Sequence, residues 1–198
     1  MIEVEKKFIL SPENETRLIT GSEFLGERMQ TDVYYDTENF SLSLKEWWLR
    51  TRNGAFELKV PITHNLDRLA EQFEELEEEG QIRKVLNLPG ENLAEDLKTQ
   101  GYAPFAKIVT TRRKYRRGHF NIDLDQVDYG TSTYTIAEIE RMVSTESEIE
   151  AAVTEIMSFA KEIDLTIVRI RGKVMEYLKR HRPEHYRALV NAGVIKDF

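Results

Sequence analysis

Between residues 2 and 143 the chain repeats one pattern: charged residues two positions apart, separated and flanked by apolar ones. Successive side chains of an extended strand point to opposite faces, so residues i and i+2 share a face. Glu3, Glu5 and Lys7 in "IEVEKKF" fall together in this way, as do Arg50 and Arg52 in "WWLRTR" and Glu57 and Lys59 in "FELKV". Asp123 and Asp125 in "IDLDQV" and Glu138 and Glu140 in "AEIERMV" repeat the arrangement. The opposite face reads as apolar: Leu49; Phe56, Leu58 and Val60; Ile122 and Leu124; Ile136 and Ile139. Lys6 interrupts the apolar row of the first segment. A chain written like this folds as a sheet whose two faces do different work.

Alternation and turn residues predict strands near residues 2–10, 28–35, 46–52, 55–60, 69–76, 104–116, 119–127 and 133–143. Asn53-Gly54 marks a tight hairpin and Gly118 another turn, so antiparallel neighbours are expected. Residues 77–88 and 91–100 read as helices around Pro89-Gly90, with Gly101 as a stop, and the acidic run Glu74–Glu79 reads as a solvated helix start. From Thr145 the period changes. Ile149, Val153, Ile156 and Ala160 recur at helical spacing behind a capping-box-like Thr145-Glu146-Ser147-Glu148. A second helix near residues 169–180 carries Ile170, Val174, Tyr177 and Leu178 on one stripe, and a third follows Pro183. The expected organisation is a single α+β domain over residues 1–198, with strands over about 2–143 and C-terminal helices over about 145–192.

Charge and composition narrow the chemistry. With 28 Lys+Arg against 35 Asp+Glu, the net charge is −7, which disfavours a nucleic-acid or anionic-membrane binder. No cysteine is present, which excludes disulfides, thiolate metal sites and thiol nucleophiles. The sequence has no apolar run of signal-peptide or membrane-span type, so a soluble cytoplasmic protein is expected. There is no GxxxxGK[ST] loop, dinucleotide fingerprint or GxSxG elbow.

An ordinary half-buried sheet with a solvated charged face is the simplest account of the alternation. Solvent faces, however, usually intersperse charges, whereas here one segment carries two guanidiniums and others carry paired carboxylates. Like charges so placed need counterparts, the acids a divalent cation and the bases a polyanion. A sheet closed into a barrel, with helices packed outside, would enclose them in a polar tunnel. Carboxylate oxygens suit Mg²⁺ or Mn²⁺, and His64, His119, His181 and His185 show no ligand spacing. Arg50 and Arg52 offer planar forks for phosphate, Lys7 and Lys59 point charges, and Arg112 in "TTRRKYRR" a further fork. Trp48 shares the parity of Arg50 and Arg52 and would face inward, where an indole can stack on a cationic ring, while Trp47 faces out. Phe73, flanked by Glu71 and Glu75 at the same parity, is a second candidate ring contact. Lys173 sits beside the apolar stripe of its helix, either snorkelling or pointing into the tunnel mouth.

In this order along the chain, ExExK (Glu3, Glu5, Lys7), RxR (Arg50, Arg52), Lys59, Arg112, DxD (Asp123, Asp125), ExE (Glu138, Glu140) and the late Lys173 resemble the triphosphate tunnel metalloenzymes, the CYTH superfamily. "YYDT", "FELKVP", "DLDQVDYG" and "KVMEYLKRHRPEHY" are most similar to its thiamine triphosphatase branch. The resemblance implies a closed eight-stranded antiparallel β-barrel with a charged interior and helices outside. It implies a monomer that hydrolyses thiamine triphosphate to the diphosphate and phosphate with Mg²⁺, without nucleic-acid or membrane partners. By the same resemblance Lys7, Trp48, Arg50, Arg52, Lys59, Arg112 and Lys173 bind substrate, and Glu3, Glu5, Asp123, Asp125, Glu138 and Glu140 hold metal. Glu5, Lys59 and Arg52 are the expected catalytic residues, and Glu75 stands at a further acidic tunnel position. Thr111 stands where relatives often carry a lysine, and Phe73 where a tyrosine is expected. The alternatives are an inorganic tripolyphosphatase or an ATP cyclase of the same fold, a non-catalytic polyphosphate-binding module, and a scaffold with a solvated sheet.

Overall fold

The computed structural model describes residues 1–197; Phe198, the last residue of the expected single domain, lies outside the described residues. Eight strands close into an antiparallel barrel: β1 (Ile2–Phe8), β2 (Glu23–Asp36), β3 (Trp48–Arg52), β4 (Ala55–Pro61), β5 (Glu71–Leu76), β6 (Ala103–Arg117), β7 (Phe120–Asp128) and β8 (Thr133–Val143), in the order β1-β5-β4-β3-β2-β6-β7-β8. Six helices accompany them: α1 (Pro12–Ile19), α2 (Glu79–Leu86), α3 (Leu93–Thr99), α4 (Ile149–Glu162), α5 (Lys173–His181) and α6 (Pro183–Asn191). The α+β barrel expected from the sequence is therefore the observed fold. Asn53 (φ 50°) and Gly54 (φ 95°) make the two-residue turn between β3 and β4, where Arg52 pairs with Ala55. None of the helices among the described residues is long and apolar enough to cross a membrane.

Several boundaries differ from the sequence reading. The first strand stops at Phe8 because Ser11 caps α1, its Oγ accepting from Asn14 N at 3.2 Å, with Pro12 in the first turn. β2 begins at Glu23, earlier than residue 28, and bends at a bulge between Phe24 and Gly26. Strand pairing takes in Glu74 and Glu75, so the acidic run does not start a helix there, and α2 begins only at Glu79. α5 starts at Lys173 rather than residue 169, behind Gly172 at its N-cap.

The apolar outer faces are buried under helices. Val4, Phe8, Ile122, Leu124 and Ile139 pack beneath Ile149, Ile156, Phe159 and Ala160 of α4. On the other side Leu49, Leu58 and Leu76 pack beneath Ile82 of α2 and Leu93 and Leu97 of α3. Ile136, read as an outer-face residue, corrects that reading: it shares the parity of Glu138 and Glu140. It lies inside with Tyr34, Ala106, Ile108, Val127 and Tyr129, an apolar plug against which Ile170, Val174 and Tyr177 pack. One end of the barrel is thus covered by α5 and the linker before it.

His185 anchors α6 to the barrel rather than to any chemistry. Its Nε2 lies 2.7 Å from Ser43 Oγ, which itself donates to Asp36 Oδ2 at 2.6 Å, so the imidazole N–H donates to the hydroxyl. Phe40 stacks on the ring at 3.9 Å. Burial brings the His185 pKa down to about 4, which keeps the ring neutral.

Because Ile156 is fully buried between α4 and the barrel wall, Ile156→Ala should lower the unfolding free energy by about 2–5 kcal/mol in denaturant melts. Met29→Ser, at a side chain 71% exposed, should change it by less than about 0.5 kcal/mol.

Candidate active site

The inward faces of the strands line one cavity of about 500 Å³. Strand parity carries the ExExK, RxR, DxD and ExE residues to its wall, and closure of the barrel sets each group of one sign beside a group of the other. Lys7 Nζ donates to both Glu5 and Glu71. Lys59 Nζ donates to Glu3 and lies 3.1 Å from Glu75 Oε1. Arg50 Nε donates to Glu57 at 2.8 Å, and its Nη1 reaches Tyr34 Oη at 3.4 Å. Arg52 forms a fork on Asp32, 2.8 and 3.1 Å.

Arg112 is the most heavily contacted cation. Its Nε and Nη2 grip the two oxygens of Asp125 at 2.6 Å each, Nη2 also reaches Glu138 at 2.8 Å, and Nη1 donates to Asp123. Lys173, the first residue of α5, points into the cavity, donates to Asp125 and lies 3.7 Å from Glu138. The linker behind it is pressed against Lys7, since a Cβ on Gly172 would stand 3.1 Å from Lys7 Cε.

Burial acts on every one of these groups, and the neighbours decide which way each titrates. For Lys7, Lys59, Arg50 and Arg112 desolvation opposes the charge, but the surrounding carboxylates outweigh it and hold all four cationic. Glu5 feels the same desolvation, yet Lys59 and Lys7 hold it well below the usual carboxylate range. Asp125 is held below its ordinary value against burial by Lys173 and Arg112. Glu3 is raised because burial outweighs Lys59. Glu140 is raised well above the ordinary value by burial first, then by the charges of Glu3 and Asp123.

Two sets of buried acids bring one oxygen from each member within 4.8 Å of one another: Glu3, Glu5 and Glu140, and Asp123, Glu138 and Glu140. Glu140 belongs to both. Asp123 is fully buried and its Oδ1 has no hydrogen-bond partner, and no cationic side chain of the described residues comes within ion-pair distance of Glu140. Asp125 stands outside both sets, its oxygens taken by Arg112 and Lys173. Only oxygen donors are offered, which is the donor set of a hard divalent cation.

Trp48 lines the cavity while packing against the buried cluster of Tyr34, Ala106 and Ile108, and Trp47 packs outside against the Leu49–Leu58 cluster with Lys45 Nζ 4.9 Å from its ring. Phe73 also faces the cavity, with Lys59 Nζ 5.5 Å and the Arg68 guanidinium 5.7 Å from its ring. The charged doublets do not point to Arg28, Asp32, Tyr34 or Lys114, which also line the interior. Their signal is nonetheless present in the sequence, since Arg28, Asp32 and Tyr34 share one parity within a strand that the alternation predicts.

A family model described as "CYTH domain" matches residues 1–167. The thiamine-triphosphatases of Macaca fascicularis and Homo sapiens are each 30% identical to this chain, covering 100% of it and 93% of their own lengths. Among solved structures, the PH1819 protein from Pyrococcus horikoshii OT3 is similar over 90% of this chain and 99% of its own, at a TM-score of 0.64 and 25% identity. A putative adenylate cyclase from Vibrio parahaemolyticus shares the fold over 90% of this chain and 98% of its own, at a TM-score of 0.59 and 20% identity.

The raised pKa of Glu140 predicts a stability effect with a definite sign. Its folded value lies above the unfolded one, so the stability associated with the protonated form is present at low pH and is lost as pH rises. Glu140→Gln should therefore raise the melting temperature of the chelator-treated protein at neutral pH by at least a few degrees. The gain should vanish as pH falls toward the unfolded carboxylate value of about 4.3.

Proposed function

The chain belongs to the CYTH domain family, and from that membership we propose that it is a triphosphatase whose substrate is thiamine triphosphate, cleaved to thiamine diphosphate and phosphate. The observation that carries this reading is the pairing of two opposed sets in one barrel cavity, cations that suit a chain of phosphates and oxygen-only acids that suit a hard cation. The full-length similarity to two thiamine-triphosphatases supports the choice of organic group.

In this reading Lys7, Arg50, Arg52, Lys59, Arg112 and Lys173 exchange their carboxylate partners for phosphate oxygens. Glu3, Glu5, Asp123, Glu138 and Glu140 would hold Mg²⁺, with Mn²⁺ as a substitute, and Asp125 would act through water. Asp123 Oδ1, which accepts no hydrogen bond and has only Lys114 Nζ at 3.6 Å, and the cation-free Glu140 fit such an ion. The ion would supply charge neutralisation at the phosphate oxygens. Phosphoryl transfer needs positioning and charge stabilisation more than covalent help, so no side-chain nucleophile is required. Glu5, held ionised by Lys59 and Lys7, would accept a hydrogen bond from the attacking water and orient it. Arg52 and Lys59 stabilise the charge on the phosphoryl group and its leaving oxygen. Trp48 would stack on the cationic ring, a contribution of about 0.5–2 kcal/mol.

Phosphate release from thiamine triphosphate, inorganic tripolyphosphate and ATP, measured side by side with Mg²⁺ and with chelator, tests the reading. A Mg²⁺-dependent preference for thiamine triphosphate is expected. Preference for tripolyphosphate would keep the site and discard the organic group, and no release from any would leave a binding module.

Arg52→Lys and Glu5→Gln should each lower kcat/KM by about 100-fold or more in protein that remains folded by circular dichroism; a near-native rate in either would remove its assigned role. Trp48→Ala should cost thiamine triphosphate about 2- to 30-fold in kcat/KM and tripolyphosphate much less. Equal losses on both substrates would refute ring stacking.

A further inference from the structure

We infer that the uncovered mouth of the barrel is an exit site for orthophosphate, built on Arg28 of β2 and Lys114 of β6, and separate from the mouth that receives the organic group. The inference rests on the triphosphatase reading and extends it to the fate of one product.

Both ends of the barrel reach the same cavity, but their chemistry differs. At the end covered by α5 and α6 the lining includes Trp48, Leu66, Met175 and Val194; at the other it includes Arg28, Lys114, Asn121 and Met142. β3 runs from the first end toward the second, and Trp48, Arg50 and Arg52 point inward along it. Each i to i+2 step advances about 6.6–6.8 Å. A triphosphate with its ring at Trp48 therefore passes Arg50 and carries its terminal phosphate to Arg52, facing the uncovered mouth.

Arg28 shares the inward parity of Tyr34 and Asp32 and is paired in register with Arg112. Arg50, Arg52, Lys59 and Arg112 are all engaged by carboxylates, yet Arg28 makes no ion pair or hydrogen bond with any described residue. Lys114 lies two residues beyond Arg112 on the same face; its nearest carboxylate oxygen, Asp123 Oδ1, is 3.6 Å away, beyond hydrogen-bond length. Two cations with free donor capacity thus stand at the mouth toward which the cleaved phosphate faces. They offer orthophosphate a next pair of partners after Arg52 and Arg112. It can then leave while the organic diphosphate still fills the covered end, and release of the two products need not be ordered.

Orthophosphate binding to the full-length protein, followed by ³¹P line broadening or calorimetry, tests the site with inorganic phosphate as the probe. The Arg28→Gln/Lys114→Gln double variant changes side chains at the rim, and its melting temperature should match the wild type. Its affinity for orthophosphate should fall about tenfold or more, and inhibition of turnover by added orthophosphate should weaken in parallel, while inhibition by thiamine diphosphate stays unchanged. Unchanged orthophosphate affinity, in a protein that still hydrolyses thiamine triphosphate, overturns the exit site and leaves the triphosphatase reading intact. Failure of the wild type to hydrolyse any triphosphate overturns both. A loss confined to binding of inorganic tetrapolyphosphate, with orthophosphate unaffected, overturns the exit role in favour of a subsite for longer chains.

Discussion

Everything inside this barrel follows from the cost of removing charge from water. An isolated buried carboxylate or guanidinium is prohibitive, and a buried pair only roughly offsets its own desolvation. The interior therefore holds its charges as alternating contacts: Arg112 among Asp123, Asp125 and Glu138, Lys59 between Glu3 and Glu75, and Lys7 between Glu5 and Glu71. Such contacts specify geometry more than they add stability. They also make each side chain's partner replaceable, because a phosphate oxygen serves an arginine as well as a carboxylate does, and a divalent ion serves the released acid. The free protein holds its binding groups in stand-in pairs. A polyanion entering without a cation, or a cation without a polyanion, would leave half of them unmatched.

The two ends of the enclosure are unlike because the strands do not keep one polarity along their inward faces. β2, β6, β7 and β8 turn apolar toward the covered end, at Tyr34, Ala106 and Ile108, Val127, and Ile136, where the α5 stripe seals them. Charge is thereby confined to the remainder of the interior. Anchoring of α6 through His185, Ser43 and Asp36 keeps the covering helices in place without contributing a titrating group near neutrality.

Period-two alternation makes the strands and the inward charged doublets legible, because side-chain direction in a strand is fixed by parity alone. The same rule is enough to place Trp48 and Phe73 inside. It fails where parity is assigned from hydrophobicity instead of counted, as at Ile136, whose inward position follows from its parity with Glu138 and Glu140. α1 is hard to read because its eight residues, "PENETRLI", carry little apolar signal and depend on the Ser11 cap and on burial of Leu18. The partners of the cations are harder still. That Asp32 meets Arg52, or that Arg112 bridges three acids, depends on register across strands distant in sequence.

The strand order has one more implication. β1 hydrogen-bonds to β5 on one side and to β8 on the other, so its β5 edge can pair once residue 76 has emerged, whereas the barrel closes only when β8, ending at Val143, docks on its second edge. Glu3 and Lys7 meet Lys59 and Glu71 on the β5 side, but Glu140 joins Glu3 and Glu5 only at that closing step. Contacts of such long sequence separation fold slowly, and until they form, Glu138 and Glu140 face a half-built, water-filled trough. The acidic set of Glu3, Glu5 and Glu140 is therefore completed only with the last pairing of the barrel, after the cations on the β4–β5 side have found their partners.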